Sequence, residues 1–201
     1  MTATQPQAAS DIDLVRLAQA GDADAFGELV ERHRRAVFRA ALAAVGTPAE
    51  ADDVAQEAFV TAFQKLHSFR GEAAFRTWLL AITWRKAIDR RKSVTRWLKR
   101  TVTPFDTPGE EMGDPMDRLP SGEASQEQTS SATELERHLR RLIATLPSKL
   151  RDALLLAGSG DHSYEQIGAM LGIPVGTVKW RVSEARRVLK QKLATFGYAH
   201  E

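Results

Sequence analysis

Between Thr101 and Ala132 the chain has almost nothing to bury, and this stretch decides how the remaining residues must organise. It carries Pro104, Pro108, Pro115 and Pro120, with Gly109, Gly113 and Gly122, then a polar run from Ser121 to Ser131. Seven acids are set against one base, Arg118, for a net −6. Proline removes backbone donors, glycine adds conformational freedom and like charges repel, so the segment over 99–132 reads as a flexible acidic linker. It divides the 201 residues into two compact segments, 11–98 and 133–196, with short tails at 1–10 and 197–201.

Both segments have the apolar period of helices. Ala55, Phe59, Ala62 and Leu66 recur at spacings of 4, 3 and 4, which is one face of a helix. Phe75, Leu79 and Ile82 repeat the spacing, as do Leu135, Leu139, Leu142 and Leu146, and then Val178, Val182, Ala185 and Leu189. Sustained period-2 alternation is missing. The expected fold is all-α, two small helical domains joined by the linker.

Charge is informative only when it is mapped along the chain. The total, 28 Lys+Arg against 26 Asp+Glu, is a net +2 and by itself gives no hint of a polyanionic partner. Residues 76–100, however, hold nine bases against Asp89, net +8, and residues 179–192 hold six against Glu184, net +5. Residues 50–57 hold Glu50, Asp52, Asp53 and Glu57, net −4. Two basic blocks are cancelled by two acidic ones.

Several function classes fall away. With no cysteine, disulfides, Cys-ligated zinc, iron–sulfur clusters and thiol catalysis are excluded. No apolar run approaches the ~18 residues that span a bilayer, and Met1–Ser10 lacks the basic and apolar blocks of a signal peptide. A soluble cytoplasmic protein without membrane insertion is expected. His33, His67, His138, His162 and His200 are scattered without HExxH spacing, and there is no Gly-rich phosphate loop and no GxSxG. The expectation is a non-enzyme without catalytic residues, cofactor or metal.

The sharpest local signal runs from Ser163 to Leu193. Ser163 followed by Gln166 is a capping box, with Tyr164, Ile167 and Leu171 as the apolar stripe behind it. Gly172-Ile173-Pro174-Val175-Gly176 then breaks the helix, since Gly172 tolerates positive φ and Pro174 cannot continue the ladder. A second helix starts at Thr177 and carries Lys179, Arg181, Arg186, Arg187 and Lys190 opposite its buried stripe. Short helix, tight turn and basic second helix make a helix-turn-helix, whose second helix enters the major groove; the alternative is an ordinary helical hairpin with a solvated basic face. Trp180 points away from the stripe, toward either a base edge or a neighbouring helix.

In the first segment the chain breaks at Phe69-Arg70-Gly71-Glu72 and resumes with Phe75 and Trp78 into the +8 block. Rings beside cations suit unstacked bases on a charged backbone, though aromatics at helical spacing also serve as core, and Phe75 is read as core. Like charges four apart repel, so a +8 helix has a use beyond solvation. Asp52, Asp53, Gln56 and Glu57 form a surface patch for a basic partner; a divalent metal, and with it a metal-dependent nuclease, is the other reading.

Taken together, these residues resemble an extracytoplasmic-function (group IV) sigma factor of bacterial RNA polymerase. Asp52-Asp53-Val54-Ala55-Gln56-Glu57-Ala58-Phe59 and Phe69-Arg70-Gly71-Glu72-Ala73-Ala74-Phe75-Arg76-Thr77-Trp78-Leu79 look like region 2, the expected 11–98 domain. Leu146-Pro147, Ser163 to Gly168 and Gly172 to Lys179 look like region 4, the expected 133–196 domain. The resemblance covers nearly all of 11–195 in the right order.

It implies an alternative sigma factor that recruits core polymerase, recognises the −35 duplex, and melts and captures the −10 element. Asp52, Asp53, Gln56 and Glu57 would dock on the β′ coiled coil, with the β flap as a second polymerase contact. The loop Phe69, Arg70, Gly71, Glu72 and Ala73 would capture a flipped −10 base, and Trp78, Arg85, Lys86, Asp89 and Arg90 would read and melt that element. Thr177, Lys179, Trp180, Arg181, Ser183, Glu184, Arg186, Arg187 and Lys190 would meet the −35 element. The acidic linker would thread the RNA-exit channel, an anti-sigma factor is an implied partner, and no appended sensory domain is expected. This chain departs from the family at Trp180, commonly small, at Glu184, commonly basic, and around Thr83-Trp84-Arg85-Lys86, commonly small and polar. The rival is a stand-alone helix-turn-helix regulator with an N-terminal sensing or dimerisation domain, which has no need of the acidic 50–57 helix or the aromatic-basic 69–92 segment.

Overall fold

The structure, a computed structural model, describes residues 9–102 and 131–195. Apart from its two ends, the expected linker lies outside the described residues. In chain order the helices are α1 (Asp11–Gln19), α2 (Ala23–Val45), α3 (Pro48–Lys65), a 3-10 turn at Leu66–Ser68, α4 (Phe75–Val102), α5 (Ser131–Ala144), α6 (Ser148–Gly158), α7 (Tyr164–Leu171) and α8 (Val175–Thr195). No strand occurs among the described residues. The all-α expectation holds, in two compact units, the first centred on α1–α3 and the first half of α4, the second on the rest of α4 with α5, α6 and α8. At its edges the linker is shorter than expected: 99–102 continue α4, and 131–132 already belong to α5.

The helix starts follow from side chains that satisfy the first free N–H groups. Ser10 Oγ accepts from the Asp13 N–H at 3.3 Å, and Asp22 Oδ1 accepts from the Asp24 and Ala25 N–H groups at 2.9 and 3.1 Å. Pro48 occupies the first turn of α3, where its missing donor costs nothing. Gly46, at φ +86°, ends α2 in the left-handed region.

In the first unit, α2 and α3 bring small residues to the core: Ala40, Ala41, Ala44, Ala51, Ala58 and Ala62 are all buried. Small side chains let two helix backbones approach closely. This accounts for one correction to the sequence reading. The buried row of α3 is Ala51, Val54, Ala58 and Ala62, whereas Ala55 and Phe59 are only half-buried. The alanines take the contact, and the bulkier ring of Phe59 lies at its flank. Phe75, Leu79 and Ile82 are buried as expected. Beside them Trp84 is 1% exposed and Thr83 fully buried, the Thr83 hydroxyl donating to the Leu79 carbonyl at 2.9 Å. Of residues 83–86, the first two thus belong to the core.

The second unit packs Leu142, Leu146 and Leu150 against Ala185 and Leu189. Arg151, itself buried, donates from Nη1 to the Ala144 carbonyl at 2.8 Å and so satisfies the end of α5. Leu139, expected in the same stripe, is 37% exposed, because α5 is held at its C-terminal end through Leu142 and Leu146. Val178, Val182, Ala185 and Leu189 are buried along α8.

Candidate nucleic-acid and polymerase interfaces

Asp52, Asp53, Gln56 and Glu57 are all exposed on α3, opposite its alanine row. The sequence reading missed how this face continues. Val60 and Phe63, at the next helical spacings, are 53% and 52% exposed, so the acidic row runs into an apolar one. Phe63 is steadied from one side by the edge of Phe26, ring centroids 5.0 Å apart.

The break after the 3-10 turn is built on an aromatic cluster. The centroids of Phe69, Phe75 and Trp78 lie 5.2–5.7 Å apart, at tilted and edge-on angles that suit ring quadrupoles. Phe69 and Phe75 are buried and Trp78 half-buried, so the first two rings brace the loop rather than lie open. Arg70, Gly71, Glu72 and Ala73 are exposed, and Gly71 turns the chain at φ +76°, a region that favours glycine. Along α4, Arg85 and Asp89 are exposed and Lys86 and Arg90 half-buried. Lys86 Nζ lies 3.7 Å from a Glu57 carboxylate oxygen, which brings together two residues that the sequence assigned to separate surfaces.

The capping box of α7 forms in both directions: the Ser163 N–H donates to Gln166 Oε1 at 2.9 Å, and the Gln166 N–H donates to Ser163 Oγ at 3.2 Å. A backbone N–H and then the Ser163 hydroxyl hold the Glu165 carboxyl below the usual carboxylate range. Gly172 turns at φ +67°, and the Ile173 N–H closes the turn onto the Gly168 carbonyl at 2.9 Å. Gly168 is the hidden requirement. A Cβ there would lie 2.8 Å from the Ile173 carbonyl oxygen, so only glycine lets the turn fold back on α7.

α8 then presents its outer face. Lys179, Trp180, Ser183, Arg186, Arg187 and Lys190 are exposed, and Thr177, Arg181 and Glu184 half-buried. Trp180 is 61% exposed, so of the two sequence readings the packed one is not adopted. Residues 176, 180, 183, 187 and 190 follow helical spacing and form the outermost ridge, with Trp180 and Arg187 upon it. Glu184 accepts from Arg187 Nε at 2.8 Å and from Nη2 at 2.6 Å. These bonds hold the Glu184 carboxyl below its usual range and raise the Arg187 guanidinium above its own.

Among the described residues no group of three or more His, Cys, Asp and Glu side chains could hold a metal, and no helix is long and apolar enough to cross a membrane.

Comparison with known proteins matches both units. The family model for Sigma-70 region 2 matches residues 29–98, and that for Sigma-70, region 4 matches residues 136–189. The chain is 31% identical over 181 residues to the ECF RNA polymerase sigma factor SigW of Bacillus subtilis, covering 89% of this chain and 94% of that protein. It is 35% identical over 190 residues to the ECF RNA polymerase sigma-E factor of Escherichia coli K12, covering 92% and 94%. The solved structure of CnrH in complex with the cytosolic domain of CnrY is similar at a TM-score of 0.61 and 27% identity, covering 92% of this chain and 97% of that one.

Proposed function

Since the chain belongs to the sigma-70 family, as an extracytoplasmic-function sigma factor, we propose that three separate surfaces divide its work at a promoter. It is an alternative sigma factor, a non-enzymatic subunit that directs transcription initiation, and this removes the stand-alone regulator and the nuclease. The acidic α3 face, Asp52, Asp53, Gln56 and Glu57, docks on the β′ coiled coil of core polymerase, and the second unit touches the β flap. The outer face of α8, Thr177 and Lys179 through Lys190, enters the major groove of the −35 element. The loop Phe69–Ala73, with Trp78, Arg85, Lys86, Asp89 and Arg90 behind it, captures and holds the melted −10 element, where contacts offset an unstacking cost of a few kcal/mol per step.

One observation carries the reading: a basic helix with an exposed Trp180 is presented by a helix-turn-helix whose turn needs Gly168 and Gly172. Charge on that face supplies affinity for phosphate, and the central side chains supply discrimination between bases. A protein partner, which we take to be an anti-sigma factor, fits the same reading: CnrH was solved in complex with the cytosolic domain of another protein, CnrY. The protein works where polymerase does, in the cytoplasm.

In-vitro transcription with core polymerase tests the proposal, using promoter DNA selected from a randomised pool. Addition of this chain is expected to give initiation at one start site. Equal transcription with and without it, on every selected template, overturns the reading.

A further inference from the structure

Helix α1 lies ahead of the residues matched by the region 2 model, yet its side chains meet the 69–73 loop at two places and reach the ring beneath it, through His33, at a third. At its C-terminal end, Gln19 Nε2 donates to the Leu66 carbonyl at 2.8 Å and to the Phe69 carbonyl at 3.2 Å, across 47 and 50 residues of sequence. Near its start, Ile12 Cδ1 lies 3.7 Å from where a Cβ on Gly71 would sit. Asp11 is 2.7 Å from the ring of buried His33, which stacks at 5.6 Å on Phe75, the ring beneath the loop. The helix is anchored in turn: Arg32 Nη1 donates to the Ala9 carbonyl at 2.6 Å, and Ser10 caps the first turn.

We infer that Gln19 is a positioning residue for capture of the flipped base, acting through the two carbonyls that bracket the approach to the loop. The inference rests on the reading of 69–73 as the −10 capture loop. The physical reason is pre-organisation. Phe69 is fixed from below by its ring, but Arg70 to Ala73 are exposed and lie between the 3-10 turn and α4, whose first hydrogen bonds begin at the Ala74 carbonyl. A loop that must order as it binds loses affinity to the entropy of ordering, and a loop already held in shape does not. Gln19 holds the Phe69 carbonyl, the last backbone group before the exposed turn, and the Leu66 carbonyl, to which the Phe69 N–H also donates at 3.0 Å. One amide therefore fixes both ends of the turn from which the loop departs. Ile12 limits its sideways travel at Gly71.

The test uses full-length protein assembled with core polymerase. The probe is fork-junction DNA that wild-type holoenzyme retains from a pool randomised over the single-stranded segment, alongside the same duplex with that segment scrambled. Gln19→Leu keeps the bulk and removes the donor. Two lost hydrogen bonds are expected to lower the selected-to-scrambled binding ratio about tenfold, with core affinity, scrambled-DNA affinity and melting temperature close to wild type. Amide exchange at residues 69–74 is expected to quicken. Gln19→Lys, which restores a donor, is expected to recover part of the ratio.

Two results overturn the inference in different ways. If exchange quickens and the ratio holds, while Arg70→Ala and Glu72→Ala lower it, the loop reads DNA without the help of Gln19. If neither the loop variants nor Gln19→Leu change the ratio, the loop assignment fails and the inference fails with it. A general loss of core affinity and stability in Gln19→Leu that Gln19→Lys does not restore also counts against it, as a role in folding alone.

Discussion

Glu184 and Arg187, one turn apart on α8, are joined by two hydrogen bonds, Nη2 to Oε1 at 2.6 Å and Nε to Oε2 at 2.8 Å. The Nε/Nη2 edge of Arg187, one of the two that could grip a guanine in bidentate fashion, is therefore committed to its own helix. The net-positive face of α8 thus has one cation held back by an acid. Glu184→Gln releases it. Binding to random duplex is expected to strengthen, with the salt slope steeper by about one, and preference for the selected −35 sequence to fall. Fluorescence anisotropy over a salt series reads both, and an unchanged slope counts against the pairing as a control on affinity.

The same pair makes a statement about acid stability. Arg187 holds the folded-state Glu184 carboxyl below its usual range, and the donors at the start of α7 do the same for Glu165. Folding therefore favours the charged forms. Their contribution is full above the ordinary carboxylate value of about 4.3 and is lost as pH falls through the lowered folded values. Melting temperature against pH is expected to drop less steeply on the acid side in Glu184→Gln than in wild type. Identical acid limbs in the two proteins would contradict that direction.

Gly168→Ala is expected to disable the second unit. The added Cβ meets a backbone carbonyl oxygen at 2.8 Å, which no side-chain rotation relieves. Overpacking of this kind costs roughly 1–3 kcal/mol, and here it also shifts α8 against α7, so −35 binding falls with stability. Gly176→Ala is the contrast: open space surrounds that position in the first turn of α8, and helix propensity favours alanine by up to about 1 kcal/mol. Thermal melting of the two variants should move in opposite directions.

The helical class, the two-unit division and the capping box were legible in the sequence because each rests on local spacing. Val178, Val182, Ala185 and Leu189 are buried where the 3.6-residue period puts them. Ala55 and Phe59 were misplaced because the period gives a stripe about two residues wide, and only the alanines of α2 decide which side of it is used. Contacts across long sequence separation were invisible for the same reason. Gln19 to Leu66 and Lys86 to Glu57 depend on how helices cross, which no single-chain spacing encodes. The ionic partner of Glu184 was legible in principle, as an i,i+3 acid–base pair.

Trp84 fills the core of the first unit, and its indole Nε1 is buried without a hydrogen-bond partner among the described residues. Trp84→Ala removes the largest of the fully buried side chains and is expected to cost about 3–5 kcal/mol. Trp84→Phe loses less volume and also removes a buried donor that is already unsatisfied, so its cost is expected below ~1.5 kcal/mol. Urea unfolding separates the cases. A Phe variant as unstable as the Ala variant would show that the indole N–H has a partner in solution.

Charge reversal of Asp53 and Glu57 tests the division of labour most directly. Both carboxylates are exposed on α3, so the Asp53→Lys, Glu57→Lys double variant should fold normally. Core-polymerase affinity is expected to fall at least about tenfold, with the larger part in a slower, less salt-sensitive association. Lys86, 3.7 Å from Glu57, loses its acid neighbour and gains a like charge, so −10 discrimination is expected to weaken slightly as well. Binding of −35 duplex, which belongs to the other unit, is expected to stay at the wild-type level. Equal loss of polymerase and −35 affinity would mean that the acidic face supports the whole fold and is not a docking surface, and lost polymerase affinity with unchanged salt dependence would mean that docking rests on Val60 and Phe63 rather than on charge.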